Sequence, residues 1–261
     1  MSSVNQGAGS YVSRAEQGGS VALPTGYVHR VIPAWASNST VSIGVGACRS
    51  DDDTEDIVVS SPLTVDITAT GANGRNVDTA EQANKWYAVC VIKNPATGAV
   101  AGFLINENNL GAFTYPAGYT KKRRVGWIRN NNSSNLRNGK YFGCGGSRKW
   151  QYDTERTEML ALSGGSATVF TDINLAQWVP PSQIGVEITG VYDPFGTSFC
   201  DFRPNGSSVA DPVFFTYQST AAESFQIEMY TDSSRIIEYQ CFNAADSIDI
   251  YVMGFFDDLD V

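Results

Sequence analysis

The stretch YPAGYTKKRRVGWIRNNNSSN, residues 115–135, sets four consecutive cations, Lys121, Lys122, Arg123 and Arg124, and a fifth, Arg129, into a pattern that reads as a strand. Cations at this density can hold phosphate, line a catalytic groove, or meet carboxylates across a packed surface. The wider window 108–152 holds nine Lys and Arg and no Asp or Glu, which is half of the chain's 18 positive side chains. Its neighbour, residues 153–261, carries seventeen acids against three bases. Tyr119, Trp127, Tyr141 and Trp150 are interleaved with the cations, as aromatic residues are where bases stack. No recognition motif accompanies them, and a net charge of -9 opposes phosphate, so no nucleic-acid partner is expected. At strand period, Lys121, Arg123, Val125, Trp127 and Arg129 face one way and Lys122, Arg124, Gly126 and Ile128 the other. Cations on both faces of one strand end suit acidic partners, on this chain or on a neighbouring subunit, with the long stems packed on apolar surface. Lys121, Lys122, Arg123, Arg124 and Arg129 are therefore the expected assembly interface.

The remaining reactive residues do not assemble into a catalytic set. The one histidine, His29, stands in GYVHRVI, far in sequence from Cys144 in GCGGS, the cysteine it would have to activate as a nucleophile. GCGGS lacks the Lys-Ser/Thr ending of a phosphate loop and reads as a turn. Asp201, Asp211, Glu223 and Glu228 could supply a glycosidase pair, but carboxylates are common in so acidic a chain. DDDTED, residues 51–56, places Asp51, Asp53 and Glu55 at alternate positions like the start of a calcium loop. It lacks the glycine at the sixth position and the later bidentate Glu, so a solvated loop between strands is expected. The five cysteines are odd in number, far apart and without a C-x-x-C pair, and Cys90, Cys200 and Cys241 lie in apolar runs as buried thiols do. No cofactor, no metal and no enzymatic activity are expected.

The elements that would position these residues are strands. Only 17% of residues are charged, against about 25% in an average chain, and Gly, Ser, Thr and Asn are plentiful. Residues 1–22 offer little to bury and read as a flexible N-terminal arm without the apolar core of a signal peptide. TVSIGVGA, residues 40–47, alternates with Val41, Ile43, Val45 and Ala47 on one side, predicting one half-buried strand. DIVVSSPLTVDITATG predicts two strands broken at Pro62. KWYAVCVIKNPATGAVAGFLI predicts a hairpin over Trp86 to Ile105 with a five-residue turn from Asn94 to Gly98. DTERTEMLALSGGS loses the alternation, so residues 153–166 are expected to be a short helix or linker between a β module at 23–152 and a β-sandwich at 167–261. In the latter, short strands recur as in an antiparallel sandwich. No run approaches the length that spans a membrane as a helix, and no membrane insertion is expected. The expected fold is all-β: two antiparallel, jelly-roll-like β-sandwich modules and an extended N-terminal arm.

The run KWYAVCVIKNPATGAVAGFLINENN, followed by YPAGYTKKRRVGWIRNNNSSN, resembles a family of tailed-bacteriophage virion structural proteins. In these a strand, an NP-x-TG turn and a second strand precede an LPAGYT-x-KRRIG-x-I segment. The ending RIIEYQCFNAADSIDIYVMGFFDDL resembles the closing strands of phage fibre and decoration modules, whereas GRNVDT stands where the family has GGLDTG. The resemblance implies a virion protein assembled in the bacterial host cytoplasm. The leading expectation is a tail fibre or appendage protein, a homotrimer docking by its arm on other virion proteins and meeting a host surface glycan by its C-terminal sandwich. The alternatives are a capsid decoration protein on the coat lattice and, from another class, a glycan-degrading enzyme.

Overall fold

The computed structural model describes residues 22–143, 145–181, 185–208, 215–219 and 221–259, the strand 215–219 by its backbone alone. The chain is nearly all β, with 51% of residues in strands and 3% in helix. Residues 1–21, most of the expected arm, lie outside the described residues.

In the first half the strands are β1 (Val28–His29), β2 (Pro33–Trp35), β3 (Thr40–Ile43), β4 (Gly46–Arg49), β5 (Asp56–Val59), β6 (Leu63–Asp66), β7 (Gly74–Arg75), β8 (Lys85–Lys93), β9 (Val100–Asn106) and β10 (Lys121–Asn130). There follow β11 (Gly139–Phe142), β12 (Ser147–Tyr152), β13 (Leu160–Gly165), β14 (Thr171–Asn174), β15 (Gly185–Asp193) and β16 (Ser198–Pro204). The last four are β17 (Phe215–Ser219), β18 (Glu223–Tyr230), β19 (Ile236–Cys241) and β20 (Ser247–Asp258).

These strands form a nine-stranded sheet in the order β18-β15-β20-β12-β11-β2-β3-β6, with β13 also on β20. Two four-stranded sheets, β10-β8-β9-β7 and β14-β19-β16-β17, and a three-stranded sheet, β1-β4-β5, complete the fold. Among the described residues the strand pairs are antiparallel except β7 with β9.

The hairpin expected at residues 86–105 is β8 and β9, closed where the Asn94 side chain accepts the amides of Ala96 and Thr97. Proline 62 separates β5 from β6, which enter different sheets. The single strand expected over residues 40–47 is instead two. Gly44 breaks it, donating its amide to the Ile32 carbonyl, and β3 and β4 part into different sheets with Val45 left 45% exposed between them. Gly46 is needed here because a Cβ would run into the backbone of residues 29–31.

The division expected at residues 153–166 is crossed by hydrogen bonds. Residues 160–165 are β13, paired on β20, and β20 also pairs with β12 from the first half. Alternation fails in this segment for a local reason: the β13–β20 register shifts twice, after Leu160 and after Leu162. The long sheet thus draws strands from both sides of the expected boundary.

The four-stranded sheets pack on that long sheet. Gly102 of β9 lies against Val65 and Ile43, and Gly126 of β10 lies against Pro33 and the Tyr141 ring. Toward the other end Phe202 of β16 meets Phe225 of β18, with ring centroids 5.4 Å apart. Between them Trp86, Tyr141, Trp150, Tyr152 and Phe255 form one aromatic cluster, with centroid separations from 5.0 to 6.5 Å. Edge-to-face contacts predominate, the arrangement the ring quadrupoles favour.

Candidate functional site

Strand β10 lies at the edge of its sheet, paired with β8, and its four leading cations are met within the chain. Lys121 Nζ is 2.6 Å from Asp52 Oδ2, and Lys122 Nζ bonds Asp51 Oδ2. Arg123 donates to the carbonyls of Gly26 and Leu259, with Asp51 3.9 Å from its Nε. Arg124 Nη1 bonds Asp257 Oδ1 at 2.6 Å and Nη2 donates to the Asp258 carbonyl at 2.9 Å. Asp257 is 1% exposed and also accepts the Tyr141 hydroxyl at 3.2 Å. Burial disfavours the charge on Arg124, and the Asp257 carboxylate outweighs it, so the pKa of the guanidinium rises.

The cationic end of β10 is thus held between the acidic loop 51–56 and the acidic end of β20. Lys149 of β12 adds a bond of 2.7 Å to Glu187 of β15.

The expected split of the cations between two faces holds only to Arg124. The β10–β8 register runs Arg124 opposite Cys90 and Gly126 opposite Val89, so Val125 is the extra residue of a β-bulge. Beyond it the faces exchange, and Arg124 and Trp127, on opposite faces by strict alternation, come together with the guanidinium 5.4 Å from the indole. The carbonyl of Val125 is taken by Arg148, whose Nη1 donates to it at 2.9 Å and to Val31 at 3.0 Å. Arg148 is 2% exposed, and periodicity alone gave no sign that this cation is buried.

Loop 51–56 is a paired loop rather than a freely solvated one. Besides Asp51 and Asp52, Asp53 accepts the Gly26 amide, Glu55 meets Lys93 at 2.7 Å, and Asp56 meets Arg49 at 2.8 Å. The bond from Lys121 and another from Ser50 hold the Asp52 carboxyl well below the usual carboxylate range. Among the described residues no group of three or more His, Cys, Asp or Glu is arranged to hold a metal.

A cleft of about 430 Å³ opens beside Lys122, Arg123, Arg124 and Trp127. The fifth cation, Arg129, is elsewhere: it lines a second cleft, of about 840 Å³, with Arg137, Asn131, Asn135, Glu158 and Gln177. The structure therefore brings four of the five expected residues together and separates the fifth.

The remaining candidates are scattered. Asp201 is on β16, while Glu223 and Glu228 are exposed on β18, in another sheet. Glu228 lines a cleft of about 380 Å³ with Ser147, Gly185, Met229, Tyr230 and Phe256, none of which is a second carboxylate. Asp211 and Cys144 lie outside the described residues. His29 is exposed on β1, its ring 6.3 Å from that of Tyr27.

No protein-family model matches this chain, and no curated protein matches it.

Proposed function

We propose that this chain is a bacteriophage virion structural protein of the tail fibre or appendage kind. It docks on other virion proteins through residues 1–22 and presents its C-terminal half to the host surface, as a homotrimer. In this reading the smaller sheets and the long sheet make two jelly-roll-like sandwich halves. Attachment is multivalent, with weak contacts multiplied by copy number.

The observation that carries the proposal is the placing of exposed aromatic residues. Among the described residues, three of the four most exposed are in the second half: Phe195, Tyr230 and Phe242, at 67%, 69% and 64%, against Phe142 in the first. Phe242 stacks on Phe199 at 4.7 Å, giving a firm apolar surface beside the end of β16. The resemblance of residues 85–135 to virion proteins supports the same reading.

A neighbouring subunit that meets the cationic end of β10 meets paired charges. Lys121 and Lys122 make that contact, while Arg123 and Arg124 support it from within.

The test is the copy number and position of the chain in purified particles, by quantitative mass spectrometry against the major coat protein and by cryo-electron microscopy. A few copies confined to the tail support the proposal. A number comparable with the coat protein replaces it by capsid decoration, and absence from particles overturns both.

A further inference from the structure

The cleft beside Arg129 differs from the cationic end of β10 in one respect. Among the described residues its two guanidinium groups have no carboxylate within ion-pair distance. Arg129 is 5% exposed, and among the described residues its side chain makes one hydrogen bond, a long one of 3.5 Å from Nη1 to the Ala176 carbonyl. Arg137 donates from Nη1 to the Glu158 backbone carbonyl at 3.3 Å. The Nε of each is buried with no acceptor. Buried donors left unmet cost free energy, and a carboxylate at the parts of the guanidinium groups that line the cleft would offset part of that cost by pairing the charge.

Both arginines are pre-positioned by aromatic rings. Arg129 lies 5.7 Å from Trp86, its partner across β8, and Arg137 lies 6.0 Å from Trp178. They are joined by the turn 131–135, in which Asn131 Oδ1 accepts the amides of Ser133 and Asn135 and the Arg137 amide returns to the Arg129 carbonyl. The NNNSSN run therefore closes a hairpin whose two stems carry the arginines. Burial, with the positive charges of Arg137 and Arg235, outweighs the pull of Tyr152 and Glu107 and lowers the pKa of Arg129 to about 10.

We propose that this cleft binds a carboxylate-bearing saccharide, a hexuronic acid or an oligomer of it. The carboxylate pairs with Arg129 and Arg137, and the ring hydroxyls with the side-chain amides of Asn131, Asn135 and Gln177. A guanidinium fork matches a planar carboxylate, and amides serve hydroxyls of either polarity. The volume, about 840 Å³, is within the range of small-molecule sites and admits more than one sugar ring. Glu158, the one acidic side chain of the lining, has Oε2 engaged by the Thr154 hydroxyl at 2.6 Å. This inference deepens the attachment reading by naming its ligand class, and rests on that reading for its biological setting alone.

The test is calorimetric titration of the full chain with an oligogalacturonate, with the neutral galactose oligomer of equal length, and with acetate. The galacturonate is expected to bind at least tenfold tighter than either control and to weaken as salt rises. Arg137→Gln is expected to lose at least tenfold in affinity with an unchanged far-UV spectrum, and Gln177→Ala, on an exposed side chain, to lose several-fold. Equal binding of acidic and neutral oligomers overturns the proposal, as does no binding at millimolar ligand, acetate binding as tightly as the oligomer, or full affinity in Arg137→Gln. Because the titration uses the isolated chain, uronate binding by a protein absent from particles removes the virion reading and leaves this site standing.

Discussion

Arg124 and Asp257, 133 residues apart in the chain, meet at 2.6 Å, with the carboxylate 1% exposed and the Tyr141 hydroxyl on its other oxygen. The pair fastens the edge of one sheet to the last strand of another. It also answers why an acidic chain carries a run of cations: their counter-charges come from loop 51–56 and from the end of β20.

Breaking that pair from the cationic side is expected to strand a buried charge. Arg124→Met should cost about 3 kcal/mol in urea unfolding. Adding Asp257→Asn should recover part of the loss, giving a coupling of roughly 1 kcal/mol or more in a double-mutant cycle. Lys121→Met, which removes a more exposed pair, is expected to cost less than about 1 kcal/mol. Equal costs at the two sites would mean that burial has no part in the effect.

The bulge makes a separate demand on Gly126. A Cβ there would sit 2.7 Å from Pro33 Cγ and 2.8 Å from the Tyr141 ring, and the sheets on either side leave it no room. Gly126→Ala is expected to destabilise by about 1–3 kcal/mol and to alter the near-ultraviolet dichroism of Trp127 and Tyr141. A wild-type unfolding midpoint in this variant would show that β10 does not pack as described.

Acid should weaken the fold through Asp246. Burial pushes this carboxyl up, but the Phe195 amide, Ser198 hydroxyl, Asn243 amide and Tyr192 hydroxyl outweigh it, and the pKa is lowered from 3.8. A depressed carboxylate contributes stability that is present above its unfolded value and is lost as pH falls through the folded one. The urea midpoint is expected to hold from pH 7 to 5 and to fall toward pH 3, and Asp246→Asn should shrink that fall. An identical pH profile in the variant would assign the acid sensitivity to other groups.

The thiols of Cys48, Cys90, Cys200 and Cys241 are buried. Burial raises the pKa of each, to about 12 for Cys48, Cys90 and Cys241. At pH 8 the reactive thiolate is scarce as well as shielded. Mass spectrometry after iodoacetamide treatment should find these four unmodified in the native protein and alkylated in guanidinium chloride. Rapid native labelling of any of them would contradict its burial.

Much of the fold was legible because it is encoded locally. The Asn94–Gly98 turn and the break at Pro62 each depend on a few adjacent residues, and so does the all-β class. What misled were features of the third dimension. Gly44 splits one apparent strand between two sheets, and Val125 exchanges the faces of β10. Residues 160–165 pair through an irregular register that no period-two pattern can reveal.

The sequence by itself determined that positive charge gathers in 108–152 and negative charge in 51–56 and after 153, because charge is a property of composition. Only the tertiary structure decided which charges meet. The pairing of Arg124 with Asp257, the burial of Arg148 on the bulge carbonyl and the unmatched guanidinium of Arg129 arise from strands brought together across more than a hundred residues or from a single-residue shift in register. Coulomb attraction and desolvation act on distances in space, and those distances are set by sheet order and register, which charge spacing along the chain does not contain.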